Sequence, residues 1–264
     1  MLNRLIIILL LPLLSYSQNW NIATQFPYTG VHHPITFSYD NYGFVITGSN
    51  TDNSFRYDKN TDSWTQLANF PGGDRGYAYG VAKDDKAYMG FGSDPSGNFP
   101  NDWWEYDISS DSWTQKSDII GNNRHHPYYF GIGNYAYVGF GHGSVSGPGS
   151  NPSANSYIYN DFYRYDPSND SWLQLSNFPS EARVAGTQFS YDGKGYILSG
   201  DGDDHDPLTY AEFWQYEPSN DSWLQLADHP GDAIWAPGSF VIGCDAYFLL
   251  GQNNNCLLYT SDAA

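Results

Sequence analysis

Three arginines, Arg75, Arg124 and Arg183, recur in one column of an internally repeated sequence, with Val31 and Ile234 at the equivalent positions. Beside that column stand His32 and His33, His125 and His126, and Trp235. A guanidinium fork binds carboxylates and hydroxyl-rich ligands bidentately, while Trp and Tyr rings stack on sugars. Arg75, Arg124, His125, His126, Arg183, Trp235, His32 and His33 are therefore the candidate ligand-binding residues. The competing role for each arginine is to pair with an acid and brace its own loop, in a chain with 29 acidic residues against 11 basic ones.

Other constellations carry less chemistry. Two His-His-Pro triplets, at His32 and at His125, would serve a metal only if non-adjacent repeats converged and a third ligand joined them. They read better as imidazoles lining a channel. Asp201, Asp203, Asp204 and Asp206 offer oxygen ligands, but their spacing fits a calcium loop poorly and suits a solvated acidic loop. Asp62, Asp111, Asp170 and Asp221 each precede Ser-Trp, and such recurrence marks a turn that needs a side-chain acceptor. Gly131, Gly133 and Ala136 imitate a dinucleotide motif without a helix behind it. There is no nucleophile elbow, zinc signature or phosphate loop, so no catalytic residue, metal or cofactor is assigned.

The elements that must hold these residues follow from the repeats. Tyr57, Tyr106, Tyr165 and Tyr216 are each followed seven residues later by Trp64, Trp113, Trp172 and Trp223. Counted from Pro27, Pro71, Ile120, Pro179 and Pro230, five copies align without a gap for 21 residues, ending on Gly48, Gly92, Gly141, Gly200 and Gly251. Asp40-Asn41, Asp84-Asp85, Gly133-Asn134, Asp192-Gly193 and Gly243-Cys244 supply hairpin turns between two strands in each copy. The second strand, as in AYMGFG and AYVGFG, is nearly continuously apolar, as expected for a strand covered on both faces. The third strand carries the Tyr and the fourth the Trp, joined by turns of the DPSNDS type. Four antiparallel strands per copy result, and an aromatic content of 18% agrees with an all-β protein.

An apolar strand ending in glycines, then a Tyr, then a Trp resembles the kelch-repeat β-propeller family over Trp20 to Gly251. The family's adjacent glycine pair is spread here to Gly90 and Gly92, or reduced to a single glycine such as Gly48. The resemblance implies a kelch-type propeller of four-stranded blades, about four and a half of a parent six, with Trp20 opening a strand that completes the last blade. On that count roughly 70 residues of a six-bladed parent would lie beyond this chain. Met1 to Ser17 has the plan of a signal peptide, which makes residues 18–255 the propeller and the mature protein secreted: extracellular, on the cell surface or periplasmic. No second apolar run could span a membrane. Residues 256–264, CLLYTSDAA, resemble a translated sequencing adapter.

Alternate strands run oppositely, so the entry to the first strand and the exit from the second share one face. That face receives the insertions Asp94 to Asp102, His142 to Asp161 and Asp201 to Glu212, and long loops on a rigid scaffold are where binding residues gather. A formal charge of −18, or −19 once Arg4 is removed, excludes nucleic acid and anionic lipid as partners. A module that binds a glycan or protein through this face is the first functional expectation. The resemblance also admits a sugar-active enzyme of the sialic-acid mutarotase type, or a platform for a further domain. A galactose-oxidase-like copper site would need a Cys linked to a Tyr, and Cys244 falls in a turn on the opposite face.

Overall fold

The computed structural model describes residues 22–143, 157–203, 206–208, 210–249 and 251. The signal peptide, Trp20, Asp204 and the C-terminal nonapeptide expected from the sequence lie outside the described residues.

Among the described residues there are only strands, turns and loops. β1 (Ile35–Tyr39), β2 (Tyr42–Ile46), β3 (Ser54–Asp58) and β4 (Ser63–Leu67) form the first sheet as an antiparallel meander. The second contains β5 (Tyr79–Lys83), β6 (Lys86–Gly90), β7 (Trp103–Asp107) and β8 (Ser112–Lys116). In the third, β9 (Tyr128–Ile132) and β10 (Tyr135–Gly139) are separated by a small ribbon, β11 (His142–Gly143) with β12 (Tyr157–Ile158), from β13 (Phe162–Asp166) and β14 (Ser171–Gln174). The fourth repeats that plan with β15 (Thr187–Tyr191), β16 (Lys194–Leu198), the ribbon β17 (Asp201–Asp203) and β18 (Asp206–Pro207), then β19 (Phe213–Glu217) and β20 (Ser222–Gln225). β21 (Gly238–Ile242) and β22 (Asp245–Leu249) pair as a final hairpin. The expected four-stranded blades are present, and the ribbons inside the two longer insertions are an addition that no alternating pattern announced.

The first strands β1, β5, β9, β15 and β21 are successive neighbours, so each blade presents its first strand inward and its Trp-bearing strand outward. Large aromatics fill the wedges between blades. Tyr88, Phe91 and Trp103 of the second blade pack with Tyr163, Tyr165 and Trp172 of the third, and Tyr128, Phe130 and Phe162 of the third with Trp214 and Tyr216 of the fourth. The recurrent pair is locked across the strands, Tyr165 opposite Trp172 with ring centroids 5.0 Å apart.

The acid before each Ser-Trp does more than shape a turn. Asp62, Asp111, Asp170 and Asp221 all take a left-handed φ of 48° to 50°, and accept the phenol O–H of Tyr57, Tyr106, Tyr165 and Tyr216 at 2.6 to 2.8 Å. Each also accepts a backbone N–H from the chain just before its own blade, from Thr24, Ala68, Ser117 and Ser176 at 2.8 to 3.0 Å. One carboxylate thus ties a blade to the segment that precedes it.

The glycine column permits the close approach expected of it. Gly92 has φ +87°, and a Cβ there would come within 2.5 Å of the Gly76 carbonyl oxygen. Its N–H donates to the Arg124 carbonyl of the next blade at 3.0 Å, as Gly141 does to Arg183 and Gly200 to Ile234.

Candidate functional site

The arginine column takes the bracing role. Arg75, Arg124 and Arg183 are 2%, 0% and 1% exposed, and their guanidinium groups face acids of their own blades. Arg124 grips Asp161 with two bonds of 2.6 and 2.9 Å and donates to the carbonyls of Asn122 and Phe140. Arg75 pairs with Asp102, and Arg183 with Glu212 at 2.5 Å. Phe70, Tyr159 and Phe178 lie under the three guanidinium planes at 5.3, 4.9 and 4.6 Å. Burial of Glu212 opposes its ionisation, but the Trp214 indole and the Arg183 fork outweigh it and hold the carboxyl below its usual range.

The acids were the part of the brace that the sequence reading missed. Asp102, Asp161 and Glu212 each stand immediately before the third strand of a blade, where the first blade has Asn53. That blade is the one with Val31 in place of arginine. The matched absence of both partners is a signal present in the repeats themselves.

His125, His126 and Trp235 border one cavity, whose lining does not include His32 and His33. Short bridges join entry and exit segments in each blade, His32 to Ser49, Gly76 to Ser93, His125 to His142 and Val184 to Asp201. The next residue along the entry segment, His33, Tyr77, His126, Ala185 or Ala236, is left-handed in every case, with φ of 49° to 58°. Such a conformation costs a non-glycine residue roughly 1 to 3 kcal/mol. Backbone bonds running from blade to blade hold it: Tyr77 N–H to His33, His126 N–H to Tyr77, and Ala236 N–H to Ala185.

Since the backbone repeats, side-chain size alone breaks the symmetry of this ring. His33 and His126 pack against Tyr77 with tilted rings, centroids 4.0 and 4.1 Å away, and lie 5.9 Å from each other. The small side chain of Ala185 leaves space at the same ring position. A cavity of about 260 Å³ opens there, lined by Tyr77, His125, His126, His142, Val184, Ala185, Asp201 and Trp235. A smaller cleft of about 90 Å³ shares Tyr77 with Ser49, Asn50, Asp74, Ser93, Asp94 and Pro95.

Three imidazoles in the cavity wall form a hydrogen-bonded chain. His125 Nδ1 lies 2.6 Å from His126 Nδ1, and His125 Nε2 lies 2.8 Å from His142 Nδ1. A neutral His125 donates through one nitrogen and accepts through the other, which is the arrangement a proton relay between imidazoles requires. Phe99 covers His125 at 4.5 Å. His142, which completes the chain, is the first residue of an insertion, and its bridge to His125 is what brings it in. Away from this chain, His33 bonds His32 at 2.8 Å, and partial burial, then the neighbouring His32, push its pKa down to about 4. Among the described residues no group of three His, Cys, Asp or Glu is placed to hold a metal ion.

Inward first strands, aromatic wedges and an axial pocket define a β-propeller, and comparison with known proteins agrees. The solved structure of YjhT superposes with a TM-score of 0.69 at 16% identity, over 84% of this chain and 72% of that one. No family model matches the chain. Over 86 residues it is 30% identical to the N-acetylneuraminate epimerase of Shigella flexneri serotype 5b, and equally to that of Escherichia coli. The match spans 32% of this chain and only 23% of the length of those relatives. Together these likenesses point to a kelch-like propeller.

Proposed function

We propose that the axial cavity binds a single sugar ring and promotes interconversion of its anomers. The linked imidazoles His142, His125 and His126 in the cavity wall carry this reading. Opening a cyclic hemiacetal requires a base to take the anomeric hydroxyl proton, and an acid to protonate the ring oxygen as its bond to the anomeric carbon breaks. A neutral imidazole chain supplies both: it gains a proton at one end, loses one at the other, and ends in the opposite tautomers with no change of charge. Closure on the other face of the carbonyl runs the shift backwards. The local likeness to N-acetylneuraminate epimerases supports a sugar as the substrate, and Trp235 and Tyr77 offer rings for its apolar face.

NMR exchange spectroscopy on sugar anomers, with and without the protein, tests the reaction. Exchange should accelerate with the wild type and fall to background with His125→Phe; acceleration that survives this substitution sinks the assignment to the chain. Binding of a glycan or protein without chemistry is the second reading, favoured by the insertions that rim the same face. In that case Trp235→Ala abolishes binding and no sugar changes its exchange rate. Export from the cytoplasm, supported by the apolar run Leu5 to Leu14, would place either activity on exogenous sugars.

A further inference from the structure

A proton can pass along the imidazoles to a ligand only if water does not intercept it. His125 holds the middle of the chain, bonded to His126 through one nitrogen and to His142 through the other. A hydrogen bond between two neutral rings is weak where solvent competes for the same nitrogens, and gains strength where solvent is kept out.

Phe99 belongs to the second blade, yet its half-buried ring packs on both members of a bonded pair in the third. Its centroid lies 4.5 Å from that of His125 and 6.2 Å from that of His142. The cavity lining does not include it. A phenyl ring offers no hydrogen-bond donor or acceptor of its own, so it displaces water without drawing the proton away.

The loop before Phe99 is built to hold it still. Asp94 Oδ1 accepts the N–H groups of Ser96 and Asn98 at 2.9 and 2.8 Å, and Oδ2 accepts the side-chain amide of Asn98 at 2.9 Å. Asp94 N–H donates to the Asn98 carbonyl oxygen at 2.9 Å, and Gly97, with φ +79°, donates its N–H to the Asp94 carbonyl oxygen at 3.0 Å. Five bonds thus close a five-residue loop, Asp94 to Asn98, immediately before the phenylalanine. Pro100 follows and stiffens the chain on the other side. A loop closed by its own bonds is ordered before any ligand arrives.

Resting on the anomer reaction proposed above, we infer that Phe99 is a positioning residue, lent by the second blade to keep water off the His125–His142 bond so that the proton passes to the ligand and not to solvent. The contact of one ring with both bonded imidazoles, across a blade boundary, carries the inference.

Two measurements on the full chain test it. In NMR of histidine-labelled protein above pH ~7.5, where an ordinary imidazole is neutral, the proton between His125 and His142 should exchange slowly with water. Phe99→Ala should speed that exchange about tenfold or more, while the backbone amides of β9 and β10 keep their wild-type rates and Phe99→Leu restores protection. Anomer exchange of glucose, galactose and N-acetylneuraminate, wherever the wild type accelerates it, should slow with Phe99→Ala although calorimetry finds the sugar bound as tightly as before. An imidazole proton that exchanges freely in the wild type, or equally slowly in Phe99→Ala, overturns the inference. So does a loss of protection shared by β9 and β10, which would mean general loosening, or an anomer exchange that Phe99→Ala leaves untouched. If the imidazole proton behaves as expected and the wild type accelerates none of the three sugars, the reaction proposal falls while the shielding of the chain stands.

Discussion

Trp172 donates its indole N–H to the carbonyl oxygen of Ser117 across 2.8 Å, while Asp170, two residues before it, accepts the N–H of the same Ser117 at 2.9 Å. Ser117 follows the outermost strand of the second blade, and Trp172 sits in the outermost strand of the third. Both backbone groups of one residue are therefore held by the next blade. Trp64 with Thr24, and Trp113 with Ala68, repeat the clamp at 3.0 and 3.1 Å. Three of the four recurrent indoles thus capture a backbone carbonyl as well as adding apolar area, whereas the N–H of Trp223 is buried without a hydrogen-bond partner.

Separating those tasks is the first prediction. Trp172→Ala removes the ring from among Phe91, Trp103 and Tyr165 and should cost roughly 3 to 5 kcal/mol in urea unfolding. Trp172→Phe keeps most of the burial and loses the donor, for which about 1 kcal/mol is expected. Equal losses for the two would mean that the hydrogen bond, and not the wedge, matters.

Acid should release the latches. Burial of Asp170 opposes its charge, but hydrogen bonds from Ser117 and Tyr165 prevail and hold its pKa below 3.8. A depressed carboxyl stabilises the fold fully above its unfolded value, and that contribution disappears as pH falls through the folded one. Asp170→Asn should therefore be less stable than wild type at pH 7, with the difference shrinking below pH ~4. A difference that stays constant with pH contradicts the latch.

His33 gives a second pH signature with the same sign from the opposite charge. Its folded value of about 4 lies below the ordinary 6.5, so the unfolded chain takes up this proton first as pH falls. Whatever stability the neutral ring confers is whole above 6.5 and fades as pH drops towards 4. An imidazole resonance of His33 titrating near 4 is the expected reading, and a midpoint at 6 or above rules it out.

The braces predict compensation between positions. Arg124→Ala leaves Asp161 facing a buried gap and should cost about 3 to 5 kcal/mol. Combining Arg124→Val with Asp161→Asn rebuilds the Val31 and Asn53 arrangement that the first blade already uses, and should recover more than half of the loss. A double-mutant cycle by denaturant unfolding decides this, and additive losses would refute the compensation.

How much of this was readable in advance depended on sequence distance. Tyr165 and Trp172 return at a fixed spacing because a hairpin joins them, so the blades could be laid out residue by residue. Arg75 and Asp102, Arg124 and Asp161, and Arg183 and Glu212 are 27, 37 and 29 residues apart. Insertions of unequal length separate these partners, and a gapless alignment shows the arginines without their acids. The histidines were read as lining a channel, and His125 and His126 do so. The route by which His142 reaches them, a two-residue ribbon at the start of an insertion, has no periodic signature. Most hidden was the cavity, which depends on a left-handed turn that five different residues adopt and that only structure reveals.

That turn also yields the sharpest test of the site. Ala185 occupies the ring position that Tyr77 occupies two blades earlier, with φ of 52° against 58°, so the backbone there already accommodates an aromatic side chain in the second blade. Ala185→Tyr should therefore be tolerated, with a change in stability of about 1 kcal/mol or less. Its ring would fill the space facing His126 and Trp235 and leave a sugar no room. Binding and anomer exchange should both fall to background while the melting temperature holds. Were the variant to bind sugars as well as wild type, the ligand would have to sit elsewhere on the insertion-bearing face, and the imidazole chain would lose its part in the chemistry.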